Sequence, residues 1–372
     1  MYIESITLTN FRNYESLELG FSDKTNILYG ENAQGKTNVL EAAYVGATTR
    51  SHRMARDKDM IRFGAEEAHI RLNVKKRNVG HRIDMQLRKT NGKTVNIDGL
   101  PIRRSSELFG LINIIFFSPE DLSIVKEGPA ERRRFMDSEI CQLSRIYYSN
   151  LADYNKVLNQ RNNLLREILS RRSRHSSCEE LLETLDIWDM QLVQYGKRII
   201  EERQNFIHML YEVVERVHEK ITGGREKVEL RYEPSVSADR LEEQLKARRE
   251  SDLRYAATSV GPQRDDIGIY INENDVRVFG SQGQQRTAAL TLKLAEIELV
   301  KEMISDTPIL LLDDVMSELD ERRRDALLGS IDGIQTIITC TGYGDFIRER
   351  MQQDRVYQVI QGKITETKAC NL

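Results

Sequence analysis

Residues 30–37 read Gly30-Glu31-Asn32-Ala33-Gln34-Gly35-Lys36-Thr37, a complete GxxxxGK[ST] phosphate-binding loop. The apolar stretch Thr25–Tyr29 precedes it as a predicted strand, and the helical stretch Asn38–Ala47 follows it. A phosphate loop needs this strand–loop–helix context, because its backbone N–H groups surround the β-phosphate at a helix N-terminus. We therefore expect a bound nucleotide, with Lys36 on its β- and γ-phosphates and the Thr37 hydroxyl on Mg²⁺.

A second motif, Ile309-Leu310-Leu311-Leu312-Asp313-Asp314, is an apolar strand that ends in two carboxylates. Paired acids at a strand end can simply cap the next turn. In a chain that also carries a phosphate loop, the first acid is expected to hold Mg²⁺ through water and the second to position or deprotonate the attacking water. We predict these roles for Asp313 and Asp314.

A third motif, Ser281-Gln282-Gly283-Gln284, lies 32 residues before Asp313 and just ahead of a predicted helix. A Ser-x-Gly at a helix N-terminus offers a hydroxyl and unpaired N–H groups to an anion, although Ser is also a common N-cap. The order of motifs along the chain is that of the ATP-binding-cassette (ABC) ATPases, in which Ser317–Asp320 takes the place of the D-loop.

The composition is that of a folded protein with two or three domains. The chain has 372 residues, of which 40% are apolar and 30% charged. Its apolar runs are far shorter than the roughly 20 residues that span a bilayer, and Met1–Ser5 reads as the start of a strand rather than a leader. Four cysteines without CxxC spacing argue against a disulfide framework or zinc site. We expect a cytoplasmic protein that does not bind membranes.

The charge is distributed unevenly. The net charge is −3, yet residues 50–104 hold 15 Lys and Arg against 6 Asp and Glu, a local excess of +9. A basic segment of this kind suits a polyanion such as DNA, and the alternative is an ordinary solvated face. The candidate DNA contacts are Lys75, Lys76, Arg77, Arg88 and Lys89.

Hydrophobic periodicity predicts an α/β protein with an inserted helical lobe. Period-two alternation predicts three strands in the first thirty residues and an antiparallel β-subdomain over 68–97, with a hairpin turn at Asn91-Gly92. Leu111–Phe117 is a candidate buried strand. Helical spacing from Glu131 to Thr222 predicts a helical hairpin, and a strand (Val228–Tyr232) and a helix (Leu241–Ala247) complete the insert.

Strands and helices alternate again after Gly261. Predicted strands Ile267–Ile271 and Val276–Phe279 flank an Asn272–Asp275 turn, and a helix covers Gln284–Met303. A further helix (Glu321–Ile331), a strand (Thr336–Thr339) and one short final strand follow Asp314. We predict a head formed by 1–125 and 255–372, which includes the basic β-subdomain at about 50–104, and a helical lobe formed by 126–254.

Eight short motifs in this order resemble the RecF family of bacterial recombination mediators, which is related to the ATPases of structural maintenance of chromosomes. The motifs cover the whole chain: Phe11–Tyr14, Gly30–Thr37, Ser51-His52-Arg53, Phe117–Leu122, Arg132–Phe135, Gly261–Asp266, Ser281–Arg286 and Leu311–Asp320.

The resemblance implies an ABC-type P-loop ATPase head with a mixed sheet, and an ATP-dependent homodimer in which the Ser281 element of one subunit completes the Lys36 site of the other. It also implies a nucleoid-associated protein that binds DNA, whether double-stranded, gapped or junction, or single-stranded. Its implied task is to help RecR and RecO load RecA onto single strands. The implied nucleotide-binding residues are Arg12, Asn13, Gly30, Glu31, Asn32, Ala33, Gln34, Gly35, Lys36, Thr37, Ser281, Gln282, Gly283 and Gln284.

The resemblance also bears on catalysis. Lys36, Ser281, Asp313 and Asp314 are the implied catalytic residues, with Thr37 and Asp313 on the metal. Asp314 stands where many cassette ATPases have Glu, and Thr339-Cys340-Thr341 follows the next strand, where many cassette transporters have a His that contacts the γ-phosphate. Both departures predict slow hydrolysis. Ser118–Glu120 is the candidate for the Q-loop.

The sequence argues against three alternative functions and leaves a fourth open. A long-arm DNA-tethering ATPase with a zinc hook would need a CxxC at the tip of its insert, and a GTPase would need an NKxD-like motif; neither pattern occurs. A DNA-cleaving enzyme would need clustered metal ligands, and the six His are scattered. A nucleotide-gated DNA-binding module with little or no turnover fits the same motifs, because Asp314 affects the rate rather than binding.

Overall fold

The computed structural model describes residues 1–90, 92–174, 177–304, 306–342 and 354–367. These residues form two compact units: unit 1 comprises Met1–Leu122 and Leu290–Leu372, and unit 2 comprises Ser123–Ala289. Across the described ranges, no helix is both long and apolar enough to span a membrane.

The first part of unit 1 is largely a six-stranded antiparallel sheet of order β2-β1-β4-β5-β6-β7. In chain order, this part of unit 1 contains β1 (Tyr2–Phe11), β2 (Tyr14–Gly20), β3 (Thr25–Tyr29), α1 (Lys36–Thr48), β4 (Glu67–Lys76), β5 (Val79–Arg88), β6 (Gly92–Ile97), β7 (Leu100–Pro101) and β8 (Ile114–Phe117). Strands β3 and β8 belong to the second sheet of unit 1. In β4 every second residue from Ala68 to Val74 is buried, which is the period-two pattern of a half-buried strand. The predicted β-subdomain is therefore confirmed, while Asn91 of its predicted turn lies outside the described residues.

Unit 2 is mainly helical. Its elements are α2 (Ser123–Lys126), α3 (Pro129–Leu143), α4 (Arg145–Ser173), α5 (Glu179–Thr222), β9 (Val228–Glu233), α6 (Leu241–Ala247), α7 (Arg249–Tyr255), β10 (Asp266–Ile271), β11 (Asn274–Asp275) and α8 (Val276–Phe279). The Ser144 hydroxyl caps α4 by accepting a hydrogen bond from the N–H of Tyr147. Helices α4 and α5 form the predicted hairpin, and α5 buries Leu185, Leu192, Ile199, Phe206 and Val213 at steps of seven.

Two predictions differ from the structure near residue 280. Val276–Phe279 is a helical turn rather than a strand, because the Asp275 carboxylate accepts a hydrogen bond from the N–H of Arg277 and caps the turn. The predicted second boundary, 254/255, also falls earlier than the observed limit at Ala289. The reason is that β10 pairs with β9 along its whole length, which keeps residues 255–289 with the helical unit.

The rest of unit 1 forms a mixed sheet of order β15-β14-β3-β13-β12-β8. Its elements are the end of α9 (Gln282–Ile304), β12 (Ile309–Asp313), α10 (Glu321–Ser330), β13 (Thr336–Cys340), β14 (Arg355–Ile360) and β15 (Lys363–Thr367). All pairs are parallel except β14–β15. This confirms the predicted mixed sheet, although the single final strand is in fact the hairpin β14–β15.

The parallel pairing determines where the motifs meet. Thr339 of β13 is in register with Leu28 of β3 on one side and with Asp313 of β12 on the other. Because parallel strands end at the same edge of a sheet, the loop after β3, the acids after β12 and the residues after β8 come together there. Helix α1 packs into a core shared with both sheets, which anchors the start of the helix at this edge.

Candidate nucleotide-binding site

The phosphate loop between β3 and α1 depends on two glycines. Gly30 has φ +153° and Gly35 has φ +109°, a region that side-chain-bearing residues rarely adopt. A Cβ atom on Gly30 would lie 2.3 Å from the carbonyl oxygen of Val359, and one on Gly35 would lie 2.5 Å from Nδ2 of Asn13. Glycine is therefore needed at both positions, because the backbone conformation is left-handed or extended with positive φ and because Val359 and Asn13 leave no room for a Cβ atom.

Lys36, the first residue of α1, folds back over this loop. Its Nζ donates hydrogen bonds to the carbonyl oxygens of Gly30 at 2.6 Å and Glu31 at 2.7 Å. Burial lowers the pKa of Lys36 below its ordinary value, while the nearby Asp314 acts to raise it. The ammonium group is thus held inside the loop by weak neutral acceptors that a phosphate oxygen can replace.

Thr37 and Asp313 meet directly. The Thr37 hydroxyl donates to Oδ1 of Asp313 at 2.8 Å, and the Thr339 hydroxyl donates to the same oxygen at 2.6 Å. A hydroxyl and a carboxylate are the oxygen ligands that Mg²⁺ prefers, so this pair fits a magnesium ion. Thr339 orients the carboxylate from the neighbouring strand.

Asp314 adopts a left-handed conformation with φ +54°. Its N–H lies 3.2 Å from the carbonyl oxygen of Thr339 and 3.1 Å from the Thr339 hydroxyl, and its own carbonyl accepts a hydrogen bond from Ser317 at 2.7 Å. These contacts turn the chain sharply after β12, so that the two adjacent acids have different surroundings.

These side chains surround a cavity of about 340 Å³. It is lined by Asn32, Ala33, Gly35, Lys36, Thr37, Asn38, His52, Arg53, Ser118, Pro119, Glu120, Asp313, Asp314 and Thr339. The candidate Q-loop residues 118–120 thus border the same space as the phosphate loop and the paired acids. A cavity of this size with lysine, hydroxyl and carboxylate groups at one edge can hold a polyphosphate and its cation.

Arg12 contacts α1, and Asn13 contacts both α1 and the phosphate loop. The Arg12 guanidinium donates to both oxygens of the buried Glu41 carboxylate, at 2.8 and 2.7 Å, and to the carbonyl of Asp59. Asn13 accepts a hydrogen bond from Asn38 and donates a long one, 3.4 Å, to the carbonyl of Gln34. In this structure Arg12 therefore braces α1, and Asn13 lies nearer the phosphate loop.

Sequence reasoning missed three contributions to the site. The sequence marks Thr339 only as part of the segment Thr339-Cys340-Thr341, which departs from the transporter pattern, and no local signal marks the turn Gln361-Gly362, whose N–H groups donate to Gln34. His52 stacks on Phe116 with ring centroids 3.7 Å apart, and burial lowers its pKa to about 4. The motif Ser51-His52-Arg53 was recognised, but its place on the cavity wall was not.

Comparisons with known proteins agree on one family. The family model described as "RecF/RecN/SMC N terminal domain" matches residues 2–365. The chain is 56% identical to "DNA replication and repair protein RecF" of Lachnoclostridium phytofermentans over 98% of this chain and 99% of that protein. The chain belongs to the RecF family. The same protein of Agathobacter rectalis is 54% identical, over 98% of this chain and 99% of the relative.

Solved structures give the same result. "Structure of the recombination mediator protein RecF-ATP in RecFOR pathway" superposes with a TM-score of 0.90 at 35% identity, covering 99% of this chain and 98% of that one. A head domain of an Smc protein from Pyrococcus furiosus superposes with a TM-score of 0.56 at 15% identity, covering 99% of this chain and 96% of that one, which is a likeness of fold alone.

In this RecF-family chain the Ser281 element belongs to unit 2. Ser281 accepts a hydrogen bond from the N–H of Gln284 at 3.2 Å, and Gln284 returns one by accepting from the N–H of Ser281 at 3.0 Å. This reciprocal cap leaves Ser281, Gln282 and Gly283 exposed at the start of α9. The lining of the cavity lies wholly in unit 1.

The candidate DNA-binding residues fall into two groups. Lys75, Lys76 and Arg77 lie at the β4–β5 turn, where Lys76 donates to the carbonyl of Gly110. Arg88 and Lys89 lie nine residues further along the paired strands, roughly 30 Å away at 3.4 Å per residue. They form ion pairs with Glu67 at 3.8 Å and Glu66 at 3.0 Å.

Proposed function

We propose that the chain is an ATP-dependent DNA-binding protein of recombinational repair and replication. Binding of ATP and Mg²⁺ makes two copies dimerise on gapped or junction DNA, and slow ATP hydrolysis resets the monomer. With RecO and RecR, the dimer promotes loading of RecA onto single-stranded DNA. The observation that carries the proposal is the meeting of Thr37, Asp313 and Thr339 beside the Lys36 loop, within a RecF-family chain.

The phosphates and the metal ion of a bound MgATP, and the attacking water, each have a counterpart among these residues. Backbone N–H groups of the loop and the Lys36 ammonium group bind the β- and γ-phosphates. Thr37 and Asp313 hold Mg²⁺, which neutralises phosphate charge when it is bound. Asp314, next along the chain, orients the attacking water.

The exposed Ser281 element supports the dimer. Its exposed hydroxyl lies at the positive end of the α9 dipole, which is suited to binding an anion. In the proposed dimer they contact the γ-phosphate held by the Lys36 loop of the other copy. ATP would then be part of the interface, and ADP could not replace it.

A second candidate function is nucleotide-gated DNA tethering with little or no turnover. The observation that favours it is the short Asp314 side chain, held in a left-handed conformation and turned by its contacts with Thr339 and Ser317. Binding and dimerisation would be the same, and only the release of the dimer by hydrolysis would be absent.

Light scattering and a DNA-binding assay test the proposal. The protein should be a monomer alone and with ADP·Mg²⁺, and a dimer with ATP·Mg²⁺, and it should bind a gapped duplex in the ATP state. The logarithm of the DNA affinity should fall by about 0.9 for each tenfold rise in salt concentration and each phosphate neutralised. A chain that stayed monomeric with ATP, or that bound no DNA, would contradict the proposal. Phosphate release then decides between mediator and tether.

The structure suggests how to divide the basic candidates in that assay. Charge reversal of Lys75 and Arg77, which have no acidic partner among the described residues, should reduce DNA affinity more than reversal of Arg88 and Lys89, since those two already have glutamate partners. Equal and negligible effects of both reversals would exclude the β-subdomain as a DNA surface.

A further inference from the structure

Helix α7 packs against the end of the α4–α5 hairpin through buried side chains. Leu253 of α7 packs into a buried cluster with Leu164, Leu165, Ile168 and Leu185. Beneath it, the fully buried Arg161 of α4 binds the fully buried Asp252 of α7 at 2.8 Å. Because removing Arg161 would leave the fully buried Asp252 carboxylate without its cation, this ion pair holds α7 in one position on α4.

These two helical segments are rich in arginine, and all of these arginines except Arg161 have side chains that reach the surface. Residues 161–174 and 248–255 contain eight Arg and no Lys, with Glu167, Glu250 and Asp252 as their only acids. Each acid already has an arginine partner: Arg171 for Glu167, Arg172 for Glu250 and Arg161 for Asp252. On the facing helix α5, Asp186 is bound by Arg249 and Asp189 by Arg161.

Four arginines remain without an acidic partner among the described residues. They are all exposed: Arg166, Arg174, Arg248 and Arg254. Arg166 donates to the neutral amide oxygen of Asn163, at 2.7 Å. We call these four residues the arginine surface. Guanidinium groups bind phosphate with two parallel hydrogen bonds, which makes a set of free arginines a better phosphate-binding surface than the same number of paired cations.

Helix α7 ends in an exposed aromatic residue. Tyr255, the last residue of α7, is 73% exposed and follows Arg254 directly. Ala256, with φ +53°, ends the helix immediately after it. Exposed aromatic residues on a rigid support serve as stacking platforms for unpaired bases, and arginine beside them follows the backbone.

We infer that the arginine surface together with Tyr255 is a second nucleic-acid-binding site, on the helical unit, which binds phosphates through the arginines and a base of the single-stranded part through Tyr255. This inference rests on the proposed DNA-binding function but assigns contacts to a different unit from the basic β-subdomain. The sequence count missed it because the acids of unit 2 hide the local excess, and only the ion pairing reveals which arginines are free.

The test compares two variants of the full chain that lose the same charge. The first replaces Arg166, Arg174, Arg248 and Arg254 with Gln, and the control replaces the exposed Lys156, Arg198, Lys220 and Lys227 with Gln. Anisotropy with a fluorescein-labelled gapped duplex and ATP·Mg²⁺ is measured across a salt series. The first variant should bind at least about tenfold more weakly at low salt, with its salt slope reduced by about 0.9 per lost contact, and the control should match the unmodified protein.

The failures are distinguishable. If the unmodified protein binds no DNA, the proposed function fails and this inference with it. If the unmodified protein binds and both variants bind equally well, the inference alone is wrong. Polyglutamate binding is measured with the same proteins. If polyglutamate binds the unmodified protein but not the first variant, while the first variant keeps its DNA affinity, the inference is overturned in favour of an acidic protein partner.

Tyr255 is tested with a single-stranded oligonucleotide. Tyr255→Ala should lose about 5- to 150-fold in affinity, the range for one stacked base, whereas Tyr255→Phe should keep most of it because the ring remains. Equal affinities of the two variants would show that the ring does not stack on a base. ATP binding should be unchanged in every variant, since none of these residues lines the cavity of unit 1.

Discussion

The Thr37 hydroxyl donates a 2.8 Å hydrogen bond to Oδ1 of Asp313, although the two residues are 276 positions apart in the chain. The contact joins the phosphate loop after β3 to the paired acids after β12, two strands that are separated in the sheet by β13. Thr339 at the end of β13 completes the contact by donating to the same oxygen at 2.6 Å. The intervening strand therefore sets the orientation of the carboxylate as well as its distance.

Thr339→Val should weaken the use of Mg²⁺ without removing the nucleotide site. The change deletes one of the two donors to Asp313, so the carboxylate should become less well oriented, at a cost of about 1 kcal/mol or more. Calorimetric titration of ATP at several Mg²⁺ concentrations should show a higher Mg²⁺ requirement. Thr336→Val, which removes a buried hydroxyl of the same strand that donates to the carbonyl of Ile334, is the control and should leave that requirement unchanged.

Lys36→Ala should abolish tight ATP binding. The lysine makes a charge-assisted contact worth about 1.5–3 kcal/mol, and its present partners are two loop carbonyls that water can satisfy. Calorimetry should show the loss, while the thermal midpoint changes little because the variant buries no new polar group. Lys58→Ala, on the exposed surface, is the control. Unchanged nucleotide affinity in Lys36→Ala would rule out this site.

The phosphate loop and the paired acids could be predicted because each is a contiguous motif beside an apolar strand. The contributions of Thr339 and of the turn at Gln361-Gly362 could not, since they depend on strand order and on pairing between distant segments. The α8 turn escaped prediction because Val276–Phe279 is rich in strand-forming residues, and one capping carboxylate, Asp275, overrides that preference.

His52→Phe should make the stability of unit 1 less dependent on pH. The folded protein holds the pKa of His52 at about 4, below the ordinary value of 6.5, so between these values the unfolded chain binds more protons. The free energy of unfolding is therefore highest above pH 6.5, where His52 is neutral in both states. It falls as the pH is lowered toward 4, by up to about 1.4 kcal/mol per pH unit. Phe keeps the stacking on Phe116 and removes the titration.

Urea unfolding at several pH values measures this effect. The difference in unfolding free energy between the two proteins should be constant above pH 7 and should shift in favour of the variant from pH 6 to pH 4.5. Parallel curves over that range would show that His52 is as easily protonated in the folded protein as in the unfolded chain.

Asp314→Asn should slow hydrolysis while ATP and Mg²⁺ still bind. Asn tolerates the left-handed conformation of this position as well as Asp does, so the turn after β12 should be preserved. The amide cannot accept a proton from the attacking water, and an ATP-bound dimer should accumulate in light scattering. If the variant turned over ATP at the unmodified rate, Asp314 would have no role in positioning water, and the tethering alternative would need another explanation for slow turnover.

Ser281→Arg should prevent dimerisation and hydrolysis while a monomer still binds ATP. The large side chain would occupy the exposed start of α9, where the γ-phosphate of the other copy is expected. It also removes a helix cap worth about 1 kcal/mol. Ser281→Asp is therefore the matched variant: Asp caps helices as well as Ser, so the helix is retained, yet its charge repels a phosphate and should abolish the dimer equally.

A mixture of the Lys36→Ala and Ser281→Arg proteins tests whether the site is shared between copies. In a mixed dimer, Lys36 of the Ser281→Arg subunit and Ser281 of the Lys36→Ala subunit form one intact composite site. Part of the ATP-dependent dimer should therefore return on mixing, although neither variant dimerises alone, since only ATP bound by both subunits links them. Hydrolysis returns as well if one site can act without the other. Monomeric Ser281→Arg protein that hydrolysed ATP at the unmodified rate would instead show that each chain carries a complete active site, because no partner would then be needed to reach the γ-phosphate.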